Sequence, residues 1–299
     1  MIRSITLADL DAVLALCNEH ERRVDPASEA FTEEDIRLQI QGFYEPGHPL
    51  GLELDGKIQA VSFSHTDTPR GRHEIDIFSL TTHDQTAALF DATLEHLQKL
   101  NTGFEIRTAA NQRDVEILNL FESRNFDFYR IYWQLIRDLA DESFPSLPSN
   151  IEIRQLDLAS NAELYWTLEM QSFAQHFGFR PIAFEPWFEE RSKDTLLDSK
   201  GLFVIFDRGV PAGYLFSGLN RVELNGGFVD KLGVVPDMQG RGLGRLLLEW
   251  GIAYSASLGH STISLGVDSG NESGALKLYD SVGFRTLVSY VAYLLPALR

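Results

Sequence analysis

The stretch "PDMQGRGLGRLL", residues 236–247, sets Gly240, Gly242 and Gly244 at every second position, directly ahead of a helical pattern with Leu246, Leu247, Trp250 and Ala253 on one face. A glycine-rich loop that closes onto a helix N-terminus presents unpaired backbone N–H groups and the positive end of the helix dipole. That is an anion site of the kind a pyrophosphate fills, and glycine lets the phosphate approach the backbone closely. The spacing is neither the GxGxxG of a dinucleotide site nor a Walker A loop, since no GK[ST] follows. A plain connecting turn is the competing reading. A second feature with chemical content is a phenol that occurs in one of two matching segments. "LKLYDSVGF" at 276–284 repeats "LNLFESRNF" at 118–126, with Tyr279 where the earlier copy has Phe121.

The repeat is wider than those segments, and it sets the elements that must carry the site. The 158-residue offset from Phe121 to Tyr279 also takes Phe126, Tyr132 and Leu135 to Phe284, Tyr290 and Tyr293. At the front of each half, "IRSITLADLDAVLALCNE" and "IRQLDLASNAELYWTLEMQ" both read as a short strand, a polar cap and an amphipathic helix. The hairpins "LGLELDGKIQAVSFSH" and "LFVIFDRGVPAGYLFSG" follow, turning at Asp55-Gly56 and Arg208-Gly209. Each half then predicts a strand, a long helix, a strand, a short helix and two closing strands. The fold class is α/β of the α+β type, two tandem units that each have a mostly antiparallel sheet flanked by helices. Periodicity lapses over 139–150, which divides the chain into 1–138, a linker, and 151–299.

Composition narrows the function. The 299 residues carry a formal net charge of −17, unfavourable for holding a nucleic-acid backbone. Apolar runs are too short to span a membrane and the first residues do not resemble a signal peptide, so a cytoplasmic protein with no membrane partner is expected. Cys17 is the single cysteine, and no histidine pair has HxxxH spacing, so no metal site is expected. "GVDSG" is not the GxSxG elbow of a serine hydrolase.

Gln239, Gly240, Arg241, Gly242, Leu243 and Gly244 match the Q/R-x-x-G-x-G/A motif of the GNAT acyltransferase superfamily. "LGVVP" precedes the motif, and Asn271, Leu278-Tyr279 and Gly283-Phe284 follow in the family's order. The resemblance covers about residues 201–290 closely and 151–200 more loosely, and the whole chain resembles a tandem GNAT protein. It implies an N-acetyltransferase that uses acetyl-CoA as co-substrate, with a small-molecule amine as acceptor and with the protein a monomer or homodimer. It places the pyrophosphate on Gln239–Gly244 with the amide of Arg245, the pantetheine along Leu232, Gly233 and Val234, and the cofactor or its loop against Asn271. Tyr279 would be the general acid for the departing thiolate. The family's strand glutamate falls here on Phe228, which leaves Asp230, on the same strand face, and Glu223 as candidate bases. The aromatic segment 172–191, with His176, Phe177 and Trp187, is the expected acceptor wall, and His176 is a further base candidate. A non-catalytic acyl-CoA-binding or regulatory module is the alternative.

The first half lacks the loop. Between Leu80, matching Val234, and Leu89, matching Leu246, the early copy is three residues shorter; it reads "TTHDQTAAL", without glycine and with Asp84 where a phosphate would sit. A carboxylate there repels an anion. The expectation is a half that binds no CoA productively and that supports the other or helps to shape its acceptor pocket.

Overall fold

The computed structural model describes residues 1–42, 45–100, 103–270 and 274–297. Its elements in chain order are β1 (Ile2–Ser4), α1 (Leu10–Val24), α2 (Glu33–Gln41), β2 (Leu50–Leu54), β3 (Lys57–Asp67), β4 (Arg72–Ser79), α3 (His83–Leu100), β5 (Glu105–Asn111), α4 (Val115–Ser123) and β6 (Asp127–Asp138). The order then repeats: β7 (Ile151–Gln155), α5 (Leu158–Phe173), α6 (Phe184–Lys193), β8 (Leu197–Asp207), β9 (Val210–Gly218), β10 (Gly226–Val234), α7 (Leu243–Ser257), β11 (Thr262–Asp268), α8 (Ala275–Ser281) and β12 (Arg285–Leu295). The fold is thus mixed α and β, with a mostly antiparallel sheet flanked by helices.

Two compact units form, and they do not follow the halves of the sequence. One comprises Met1–Trp133, Asp268–Gly270 and Leu287–Arg299; the other comprises Gln134–Val267 and Asn271–Thr286. In the first unit the strand order is β1-β2-β3-β4-β5-β12-β6, and in the second β7-β8-β9-β10-β11-β6, with β6 passing from one unit to the other. Each copy therefore supplies one long closing strand, where the sequence pattern suggested two. The place beside β5 is taken by β12, antiparallel, from Tyr290 opposite Asn111 to Leu295 opposite Ile106. Chain contacts, not the irregular stretch 139–150, decide where the units end.

Local chemistry explains the matching hairpins. Asp55 and Gly56 have φ of 50° and 73°, and Arg208 and Gly209 have 51° and 80°. Two consecutive left-handed residues make the turn whose twist suits a tight antiparallel pair. In the first unit α1 and α2 lay Val13, Leu16, Cys17 and Ile36 on Val61 and Phe63; α3 and α4 bring Phe90, Leu120 and Phe121 against Val291 and Tyr293. In the second, α5 and α6 bury Tyr165, Leu168 and Trp187 against Leu202, Val204, Tyr214 and Phe216. Each such fully buried large side chain contributes about 1.5–3 kcal/mol.

One departure from sheet regularity recurs in both units. β10 runs parallel to β11 from Gly226 opposite Thr262 to Val229 opposite Leu265, and then pairs only with β9. β4 leaves β5 at the corresponding place, after Ile75 opposite Thr108. Each sheet opens a wedge there. β10 also bulges between Val229 and Lys231, at Asp230, whereas β4 pairs with β3 without a shift.

Candidate active site

The second unit's wedge opens onto the glycine loop. Val235 donates its amide to Ala212 on β9, at 3.0 Å. Backbone amides alternate along a strand, so those of Val234 and Leu232 turn away from β9, toward the side that β11 has left. That edge can pair with an extended ligand backbone, as Leu232, Gly233 and Val234 were expected to. Gly233 is needed for packing: a Cβ there would lie 2.7 Å from Ser172 on α5 and 2.9 Å from Tyr214.

At the end of β10 the chain turns through Pro236 and Asp237 into α7. Gly240 and Gly242 have φ of 71° and 79°, and a Cβ at either would meet nothing within 4 Å. Conformation, not crowding, therefore calls for glycine at both. Gly242 is the N-cap of α7 and offers no side-chain oxygen to the amides behind it. Among the described residues, no backbone partner takes the amides of Gly240, Arg241, Gly242, Leu243, Gly244 and Arg245. They form a donor nest at the positive end of a helix of 15 residues. Side chains brace it: Gln239 donates to the Val234 carbonyl at 3.0 Å, and Arg241 to that of Asp237 at 3.0 Å. Arg245 reaches Glu249 at 2.7 Å and Ser281 Oγ, on α8, at 3.1 Å.

Helix α8 packs beside the nest, since a Cβ on Gly244 would touch Leu278 at 3.7 Å. The next residue, Tyr279, is 8% exposed, with its ring edge-on to Phe284 at 6.0 Å. Its hydroxyl has no hydrogen-bond partner among the described residues, and burial pushes its pKa up to about 12. It is therefore a phenol, a proton donor, throughout the physiological range. Phe121 occupies the equivalent place on α4, fully buried against Phe90 and Phe126. Asn125 and Gly283 are left-handed at the matching turns.

Asp230, at the bulge, lies on β10 with the free-edged residues Leu232 to Val234, about 13 Å back from Val234 along the strand. Its Oδ2 is buried without a hydrogen-bond partner and lies 3.8 Å from Arg191 of α6. Arg191 also faces Glu169 of α5 at 3.4 Å and Asp194 at 3.6 Å. Burial, and then repulsion from Asp230, hold the Asp194 carboxyl above its ordinary range. The sequence reading missed this buried cluster. A signal was available, because Glu169 falls on the face that α5 buries with Tyr165, Leu168 and Ser172.

The remaining expected residues divide. Trp187 has no exposed surface and donates its indole N–H to Glu169 at 3.1 Å, so it belongs to the core and lines no open surface. His176 and Phe177 lie in the segment that leaves α5 near Gly233. The His176 ring lies tilted against Phe173, with centroids 4.4 Å apart, while Phe177 is 50% exposed. Glu223 is exposed, at the far end of β10 from the nest. Asn271 lies outside the described residues. Among the described residues no group of three or more His, Cys, Asp or Glu side chains could hold a metal ion, and no helix is long and apolar enough to cross a membrane.

In the first unit the equivalent connection between β4 and α3 contains only Leu80, Thr81 and Thr82. Hydroxyls fill it: Ser79 Oγ accepts from the Thr81 amide at 3.3 Å and meets Thr86 Oγ1 at 2.7 Å. No glycine nest forms.

Comparison with known proteins agrees with this geometry. Residues 159–284 match the acetyltransferase (GNAT) family. The mycothiol acetyltransferase of Streptomyces griseus is 26% identical over 284 residues, 93% of this chain and 89% of that protein. The fold superposes on a GCN5-related N-acetyltransferase from Sphaerobacter thermophilus with a TM-score of 0.84 at 16% identity, covering 100% of this chain and 96% of that one. A tandem GNAT protein from the clavulanic acid biosynthesis pathway gives 0.74 at 13% identity, over 100% and 99% of the two chains. With its open-edged strand, amide nest and buried phenol in one unit, residues 159–284 are an acetyltransferase domain of the GNAT family, set in a chain with the tandem GNAT fold.

Proposed function

We propose that the second unit transfers an acetyl group from acetyl-CoA to a primary amine of a small molecule, by direct attack on the thioester. The observation that carries this reading is the sequence of unpaired amides from Gly240 to Arg245 at the head of α7, beside a protonated phenol on α8. The nest receives the pyrophosphate of CoA. The free edge of β10 receives the pantetheine, and the amides of Leu232 and Val234 are the donors for the thioester oxygen as it gains charge. The amine nitrogen forms its bond to the carbonyl carbon, the C–S bond breaks, and the thiolate takes the proton of Tyr279. Asp230, with an unfilled acceptor oxygen, takes a proton from the amine, and His176 and Phe177 border the acceptor. The relatives are named for mycothiol, so desacetyl-mycothiol heads the list of amines to assay.

The test follows thiol release from acetyl-CoA with a panel of amines, for the wild type and Tyr279→Phe. Amine-dependent release that is strongly reduced in the variant supports the proposal. Full activity in Tyr279→Phe removes the general-acid role. Saturable acetyl-CoA binding with no release on a broad panel replaces the enzyme with an acyl-CoA-binding module, and absence of binding contradicts both.

A further inference from the structure

The first unit has a cavity of about 160 Å³, lined by α1, α2, β4, β5 and β12, in the wedge where β4 parts from β5. Such a volume is near that of an engineered protein cavity that holds benzene. Its walls combine apolar groups, among them Phe31, Ile77 and Phe78, with two carboxylates, Glu21 and Asp76. Glu21 is more than nine-tenths buried. Its Oε2 accepts from Ser28 at 3.0 Å and Asn111 at 3.5 Å, but its Oε1 has no partner among the described residues. Asp76, on β4, is partly buried, and its one hydrogen bond among the described residues is from Gln39 to Oδ2, at 3.3 Å.

Among the described residues, no lysine or arginine lines this cavity. The lining His20 does not supply the missing positive charge either, because its Nε2 is 3.1 Å from Asp114. Burial opposes a charge on that imidazole, yet its bonds to Asp114 and Ser79 outweigh this and hold its pKa above the ordinary value. That one imidazolium is paired with Asp114 and more weakly attracted to Glu21, so a single positive charge faces the three carboxylates Asp114, Glu21 and Asp76. Buried carboxylates without a full counter-charge are costly, and a cation between Glu21 and Asp76 relieves both. The aromatic rings of Phe31 and Phe78 meet edge-on at 5.3 Å and offer a cation a favourable surface. The apolar walls fit the carbon chain of an amine better than a hydrated metal ion, and no metal-ligating group was found among the described residues.

We propose that this cavity is a binding site for a small organic ammonium ion, held by Asp76 and Glu21, in the unit that lacks the glycine nest. Asp76 occupies in the first copy the place that Asp230 occupies in the second, 154 residues later. The carboxylate has thus been kept in a wedge whose anion loop is gone.

The probe is n-butylammonium, titrated calorimetrically into the full chain carrying Asp230→Asn, which removes the matching carboxylate of the second unit. The expected result is one saturable site per chain, with n-butanol at least tenfold weaker. Adding Asp76→Asn weakens the ammonium at least tenfold without lowering the melting temperature. Glu21→Gln, which retains an acceptor for Ser28, acts in the same direction if Asp76→Asn proves unstable. Absence of saturable binding, equal binding of butanol, or binding that survives both substitutions overturns the proposal. None of these outcomes depends on acetyl transfer.

Discussion

Tyr279 and Phe121 show how one oxygen separates two copies of the same helix. Both rings are buried on a short helix ahead of a left-handed residue and a phenylalanine, so packing requires the ring and not the hydroxyl. Tyr279→Phe is therefore expected to lower kcat by about 10²-fold or more, the usual contribution of a positioned general acid. KM for acetyl-CoA should hold, and the melting temperature should not fall, because the hydroxyl has no partner to lose. With its pKa near 12, Tyr279 predicts no alkaline loss of rate on its own account below about pH 10, checked by a pH–rate profile of the wild type. The phenol was legible in the sequence because a repeat supplied its own control. Trp187 was not, since an aromatic at a helical position reads alike whether it walls a pocket or fills the core. The Glu169–Arg191–Asp194–Asp230 cluster joins three places in the chain, and only its Glu169 member, on the buried face of α5, left a local trace.

Helix α7 and its loop act through backbone geometry. Gly242→Ala forces a Cβ into a left-handed conformation, at a cost of about 1–2 kcal/mol, although nothing crowds it. We expect a melting temperature a few degrees lower and a KM for acetyl-CoA raised several-fold, with kcat less affected, as steady-state kinetics would report. Gly244→Ala, with ordinary contacts to Leu278 and Val234 and no positive φ, should be close to neutral. This loop was legible because glycine spacing reports φ directly. The hairpins were legible for the same reason, through Asp55-Gly56 and Arg208-Gly209. The helices α2 and α6 were not read, being short and rich in charge. The closing strands were miscounted because a strand's neighbour is set by distant parts of the chain.

Across the whole chain, duplication has produced units that do not match its two halves. β12 pairs with β5 and places Val291 and Tyr293 in the first unit's core, so residues 1–138 alone expose an apolar edge. That fragment is expected to aggregate or to unfold without a cooperative transition, and the same fragment with residues 285–297 appended through a linker should unfold cooperatively in urea. The first unit also stores electrostatic cost at Asp76, whose pKa is raised to about 6 chiefly by burial. Its folded form holds the proton more tightly than the unfolded chain, so this stability is full below the unfolded value near 4 and is lost as pH rises to about 6. Asp76→Asn should consequently stabilise the protein by up to about 3 kcal/mol above pH 6, and by progressively less toward pH 4, in urea titrations. Between a unit that keeps nest and phenol and one that has lost both, the most direct test is the calorimetric stoichiometry of acetyl-CoA on the full chain. One site per chain, weakened several-fold by Gly242→Ala, is the predicted result; two sites, or one that ignores that substitution, would contradict the division.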